Sequence, residues 1–388
     1  MVAAVLAAVW ALLAAAGEPA AQTGRVPFAF AYVGIDSDPY YRPSRAYTGL
    51  TLRDPHRPLD GAAMALRESR IVGRSLGLDF ELIEAMVDDA AEVVATMEGL
   101  IAGRGVTVFV LDLPLAELAA VRDRFAGRDL ILMNPRHRDM ELRQAGCGAN
   151  LFHTIASDRM LTDALSQYLI RKIWSSVLVL EWPNADDKTL SAAFLASARK
   201  FRIDPVAVRE FVLSNDPRVR DQTNIPILTG GPDHDVVFVA DTVGEFGRYV
   251  PYQTYRPRPV VGTEGLVASG WHWSWERHGA PQLNQRFDRR AGRRMTDMDW
   301  AGWAAVRIVV EAMVETRSTE TSILRRALVS PELTFDSYKG APIGFRPWNH
   351  QLRQPILLHV HNAVVARAPV EGFLLSLIHI SEPTRHTS

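Results

Sequence analysis

The sequence predicts an α/β protein of two lobes, each a mostly parallel sheet flanked by helices. Three observations lead there. Strand and helix patterns alternate through one series and then, from Leu151, through a second. A chain of 388 residues suits two domains of ordinary size, each burying its own core. A turn-rich stretch, 334–366, follows the last helices and looks like a return to an earlier lobe.

The first series opens with the β-rich run Val26–Ile35. After a long polar loop comes a helix over Asp60–Arg74, with Asp60 as a candidate N-cap. Leu78–Ile83, Val106–Leu111 and Leu130–Met133 read as strands, separated by helices over Asp88–Ala102 and Pro114–Phe125, the second opened by proline. The second series reads as helix Asp158–Trp174, strand Ser176–Leu180, helix Ala185–Phe201, strand Val206–Leu213 and strand Asp235–Ala240. Val260–Leu266 leads into Trp271-His272-Trp273-Ser274-Trp275. Two helices follow, Met298–Thr316 and Thr319–Val329, and the strand Ile356–Val360 closes the pattern. In Met298–Thr316, Trp303, Val306, Val310, Met313 and Val314 share one face, while Arg307, Glu311 and Glu315 share another. Alternation of this kind calls for a parallel sheet covered on both faces.

Both ends of the chain are set aside from the fold. Met1–Ala16 is rich in Ala, Leu and Val and carries no charge, and the small residues after it suit signal peptidase, so 1–21 is expected to be a secretory signal. Its apolar run of about 15 residues is short of the roughly 20 that cross a bilayer. No cysteine lies near the cleavage site to accept a lipid. Residues 375–388 match the peptide expected when a common transposase-based sequencing adapter is translated in frame, and are treated as an artefact.

Composition narrows the function. Lys and Arg number 43 against 44 Asp and Glu and are scattered, so nucleic acid is not an expected partner. The single cysteine, Cys147, forms no disulfide framework and reads as a small residue near a turn or a reactive thiol. Gly73-Arg74-Ser75-Leu76-Gly77 matches a nucleophile elbow in letters but not in context, because that chemistry needs a strand before the serine and a helix after it. A left-handed helix cap explains these glycines instead. Neither a dinucleotide fingerprint nor a P-loop is present, so no cofactor is expected. His359 and His361, with His350, lack a carboxylate or cysteine cluster at ligand spacing, and no metal site is expected either. Trp271, Trp273 and Trp275 would line one side of an extended backbone, as an aromatic core patch or as a stacking surface for a ligand.

Several stretches together carry a resemblance: the opening strand to Gly34, Asp60-Gly61-Ala62, Leu151-Phe152-His153-Thr154 and Val261-Gly262-Thr263-Glu264-Gly265-Leu266. They resemble the type I periplasmic substrate-binding proteins of ABC transporters, in the branched-chain amino acid-binding family, over about 26–373. Phe335–Gly340 and Phe345–Gln351, together with Arg53–Arg74, resemble a subgroup found with pyrroloquinoline-quinone (PQQ)-dependent alcohol dehydrogenase systems. The resemblance implies three interlobe crossovers, with an N-terminal lobe of 25–151 and 276–333 and a C-terminal lobe of 152–275 and 334–374. It also implies a non-catalytic, monomeric periplasmic protein that closes on a small molecule by a hinge and delivers it to the permease subunits. An exported ligand-sensing subunit for a membrane receptor is the alternative. By position after strand ends, the implied ligand-binding residues are Asp36, Asp112, Leu113, Asn134, Trp182, Asp241 and Trp271. Where amino-acid-binding members present Ser and Thr to a carboxylate, this chain has Asp112-Leu113-Pro114 and Asn134-Pro135-Arg136, which suit a neutral alcohol-derived or aromatic compound at least as well.

Overall fold

A computed structural model describes residues 24–373 apart from Asn215. The signal segment 1–21 and the adapter-like segment 375–388 lie outside the described residues. Strands β1 (Val26–Ile35), β4 (Leu78–Val87), β5 (Val108–Asp112), β6 (Ile131–Asn134) and β7 (Leu151–His153) form an all-parallel sheet in the order β4-β1-β5-β6-β7. Between β1 and β4 lies a two-stranded hairpin, β2 (Ser44–Arg45) and β3 (Thr51–Arg53). The second sheet has the order β17-β16-β12-β11-β10-β8-β9. Its strands are β8 (Ser176–Glu181), β9 (Asp204–Glu210), β10 (Val236–Ala240), β11 (Val260–Gly262), β12 (Leu266–Ser269), β16 (Ile356–Val360) and β17 (Ala363–Ala368). Neighbouring strands pair parallel except β12–β16 and β16–β17, which are antiparallel, so β16 alone runs against the rest. A small antiparallel sheet of β13 (Phe335–Asp336), β14 (Pro342–Phe345) and β15 (Leu352–Arg353) precedes β16. The two-lobed α/β architecture read from the sequence is therefore the one observed.

The central strands of each parallel sheet are apolar because helices cover both faces, while the edge strands β4 and β9 carry charged, exposed residues. Residues 236–240 are buried without interruption, as are 108–112. In the first lobe the helices Glu92–Arg104 and Leu115–Arg124 cover one face and Leu59–Ser75 and Asp297–Thr316 the other. Asp297–Thr316 starts at a capping box between Thr296 and Asp299 and is buried well beyond the single face read from its periodicity, since Ala301, Ala304, Ile308 and Val309 are inside as well. The helix Leu59–Ser75 lies against it almost backbone to backbone: a Cβ on Gly61 would sit 1.9 Å from the Asp299 carbonyl oxygen.

Several local expectations change. Asp60 does not cap its helix. Pro58 occupies that position, and Asp60 pairs instead with Arg293 at 2.9 Å. The segment 260–266 forms two strands, β11 and β12, separated by a turn at Gly262 and Gly265, both at positive φ; a Cβ on Gly265 would lie 2.1 Å from the Val260 carbonyl oxygen. The extended backbone expected over 271–275 is a turn closed by Trp275 N–H donating to His272 O at 3.1 Å, so the indoles do not form one row. Gly77, at φ +74°, follows the end of the Leu59–Ser75 helix, and Ser75 Oγ donates to Val72 O at 2.7 Å, a helix-end arrangement rather than an elbow.

The chain passes between lobes at neighbouring places. Gln351 Nε2 donates to Ile155 O at 2.9 Å, Gln354 Nε2 to Thr154 O at 2.8 Å, and Gly270 N–H to Asp297 Oδ2 at 3.0 Å. Phe335, Ile343, Phe345 and Leu352 pack into the first lobe's cluster, and the chain joins the second sheet at Ile356. Among the described residues no helix is long and apolar enough to cross a membrane.

Candidate functional site

The connection 36–58 leaves the carboxyl end of β1 and reaches the loops after β10 and β11, so it touches the carboxyl ends of both parallel sheets. In the first lobe Asp112, at the end of β5, is fully buried and engages four groups. Tyr32 Oη donates to it at 2.6 Å, Arg57 Nη1 at 2.9 Å, Arg136 Nη1 at 3.3 Å, and Tyr41 Oη donates to Oδ1. Arg136 also meets Asp38 at 2.6 Å and lies 4.4 Å from the Tyr40 ring centroid, while Arg57 lies 4.2 Å from that of Tyr41. Two carboxylates and two guanidiniums thus balance inside one buried cluster. Burial would raise the Asp38 carboxyl, but the hydrogen bonds from Arg136 and Tyr40 N–H outweigh it and hold the group below its ordinary range. Burial, with Asp112 alongside, pushes both the Tyr32 and Tyr41 phenols up, so they remain donors.

Asn134, at the end of β6, turns the next loop. Its Oδ1 accepts from Arg136 N–H at 3.0 Å and His137 N–H at 2.8 Å, which aims Arg136 at Asp112. Leu113 is buried, and its carbonyl lies 2.6 Å from His137 Nε2, placing that ring's proton on Nε2. In the second lobe, Asp241 follows β10 and is fully buried, accepting backbone N–H bonds from Gly244 at 2.8 Å, Phe246 at 3.1 Å and Gly247 at 2.6 Å. Trp182, after β8, is half-buried and meets Phe211 edge-on at 5.6 Å.

Of the seven residues read from the sequence, six lie at the carboxyl ends of the two sheets: Asp36, Asp112, Leu113 and Asn134 on the first, Trp182 and Asp241 on the second. Trp271 lies elsewhere, 2% exposed in the first lobe's core, stacked 6.2 Å from Trp300 and donating through Nε1 to Asn284 at 3.0 Å. The side chains of Asp112, Asn134 and Asp241 are occupied by protein partners. Asp36 and Trp182 retain a carboxylate and an indole N–H that no described protein group engages. Sequence reading missed Tyr32, Asp38, Tyr41, Arg57 and Arg136. The one local signal is the Asp38-Pro39 pair, which caps a turn; the others meet Asp112 across distant parts of the chain.

No family model matches the chain, and no curated protein matches it in sequence. Solved structures match it in shape. An ABC transporter substrate-binding protein from Sphaerobacter thermophilus superposes with a TM-score of 0.70 at 16% identity, covering 88% of this chain and 97% of its own. The fold is that of the type I periplasmic binding proteins. A branched chain amino acid ABC transporter periplasmic ligand-binding protein from Burkholderia xenovorans gives 0.69 at 12% identity, with 88% and 95% covered. A solute-binding protein of an ABC transporter from Rhodopseudomonas palustris, in complex with 3,4-dihydroxybenzoic acid, gives 0.64 at 13% identity, with 88% and 97% covered. Asp36 and Trp182 lie just beyond the carboxyl ends of β1 and β8, the edge at which open α/β sheets commonly bind ligands.

Proposed function

We propose that this chain is the periplasmic substrate-binding component of an ABC transporter, which captures a small organic molecule between its lobes and hands it to the permease without transforming it. The observation that carries this reading is that Asp36 and Trp182, at the carboxyl ends of the two sheets, keep polar atoms that no described protein group engages, one in each lobe. A molecule touching both sides binds the closed form better than the open one, and only such a difference drives closure. Asp112, Asn134 and Asp241 then shape the walls, and Trp271 supports them from the core.

A hydroxylated or aromatic compound fits an acceptor on one side and an indole on the other. The resemblance of Phe335–Gly340 and Phe345–Gln351, with Arg53–Arg74, to the subgroup linked with PQQ-dependent alcohol oxidation makes alcohols and their aldehydes the first compounds to try. Thermal unfolding against alcohols, aldehydes, aromatic and aliphatic carboxylates, amino acids and quinones tests the reading. A true ligand at a hundred times its dissociation constant adds about 2.7 kcal/mol. Silence across the whole panel would defeat it, and Trp182→Ala should weaken any hit found.

A further inference from the structure

The connection 36–58 joins β1 to the helix Leu59–Ser75 within one lobe, where about 2–6 residues usually suffice. Both of its ends are fixed to the first lobe by buried groups. Near the start, Asp38 holds Arg136 at 2.6 Å and Tyr41 reaches Asp112. Near the end, Arg57 reaches Asp112 at 2.9 Å and the Ile35 carbonyl at 2.6 Å. Between these anchors the β2–β3 hairpin crosses to the other lobe. Arg53 Nη2 donates to the Asp241 carbonyl at 3.0 Å and lies 3.9 Å from Glu264 Oε1, while Tyr47 N–H lies 3.4 Å from Glu245 Oε1. These acceptors sit in the loops after β10 and β11.

The two attachments differ in kind. The first-lobe anchors are multiply bonded around the fully buried Asp112, whereas on the other side the Arg53 side chain is 42% exposed and the Glu264 side chain 27%. When the lobes separate, the weaker set breaks and the hairpin travels with the first lobe. Gly244 provides the seat: a Cβ there would come within 3.2 Å of Arg53 Nε. We infer that 36–58 is a strap across the cleft and that Arg53 latches the closed form onto the Asp241 carbonyl and Glu264. This regulation rests on the cleft being the ligand site, because a strap over that gap sets how quickly a captured molecule escapes.

The test uses the full chain without ligand, so it stands apart from the thermal panel. Small-angle scattering gives the radius of gyration, and hydrogen–deuterium exchange reports on the amides of 44–53. Arg53→Ala should enlarge the radius and speed exchange roughly two- to fivefold, the range set by an exposed ion pair. Arg53→Lys should fall between it and wild type. Arg45→Ala, which removes an equal charge from the same hairpin, should change neither. Added salt should mimic Arg53→Ala in the wild type and add little to the variant. An unchanged radius in Arg53→Ala, with or without faster exchange, would overturn the latch. A silent ligand panel alongside an enlarged radius would leave the latch standing and remove only the transport reading.

Discussion

The Lys339 ammonium lies 3.2 Å from the centroid of the Trp300 ring and donates to Gln354 Oε1 at 2.5 Å, fully buried where the chain crosses between lobes. Trp300 belongs to the first lobe, and Gln354 in turn holds Thr154 at another crossover. Burial pushes the Lys339 amine well below its ordinary value, with Asp297 opposing and Arg138 reinforcing that shift. Because the unfolded lysine takes up its proton near 10.4, the native state loses stability as pH falls from there toward the lowered native value. Lys339→Met removes the effect. Urea unfolding at several pH values between 10 and 6 should show the variant gaining on the wild type as pH falls; a constant difference would count against a depressed amine.

The contact of Gly61 with the Asp299 backbone sets how closely the helices Leu59–Ser75 and Asp297–Thr316 approach. No rotamer can relieve a clash between a Cβ and a backbone carbonyl, so Gly61→Ala must push the helices apart. The expected loss is about 2–3 kcal/mol in denaturant unfolding. Gly99→Ala, on a helix where an added Cβ meets nothing within 4 Å, should be neutral or slightly stabilising.

These cases show what the sequence made legible. Long apolar strands and amphipathic helices announce themselves locally: Ala185–Phe201 and Ile356–Val360 occur with the predicted boundaries, and the two-lobed α/β plan follows from their order. Gly61 carries no such signal, since only the partner helix requires it. The site was legible by position and not by role. Strand ends placed Asp112 and Asp241 at the carboxyl ends of the sheets, but Asp112 meets Arg57 and Arg136 at sequence separations of 55 and 24, while Asp241 folds back on its own loop. Neither set of partners follows from spacing. In the Trp271 region the core reading holds for Trp271 and Trp275, but the expected row of indoles does not form, because alternation implies one face only if the backbone is extended, and here it turns.

His272 stacks on His359 with ring centroids 3.8 Å apart, and Ser274 Oγ lies 2.7 Å from its Nδ1. Burial, with His359, His361 and Arg294 nearby, pushes His272 down to about 3. Unfolded histidine titrates near 6.5, so this group favours the native state above that pH and progressively withdraws its support as pH falls toward 3. His272→Phe keeps a ring in the stack and cannot titrate. The wild type's advantage over the variant should shrink between pH 8 and pH 5 by on the order of 1–2 kcal/mol. Thermal unfolding at the two pH values measures the change, and equal advantages would show that His272 titrates normally.

The last prediction separates wall residues from ligand-contacting ones. Asp241 is read from the sequence as a ligand contact, yet its carboxylate already accepts three backbone N–H bonds that shape the loop beyond β10. Asp241→Ala would strand those donors, and an unsatisfied buried donor costs about 1–3 kcal/mol. The ligand-free variant should therefore lose roughly 3 kcal/mol or more in urea unfolding. Asp36 is exposed and its carboxylate has no described partner, so Asp36→Asn should leave ligand-free stability within about 0.5 kcal/mol of wild type. If the proposed site is right, Asp36→Asn instead weakens binding of whichever compound raises the melting temperature in the thermal panel. Unchanged stability in Asp241→Ala would show that the loop does not depend on the carboxylate, and Asp241 would then return as a candidate to face the ligand directly.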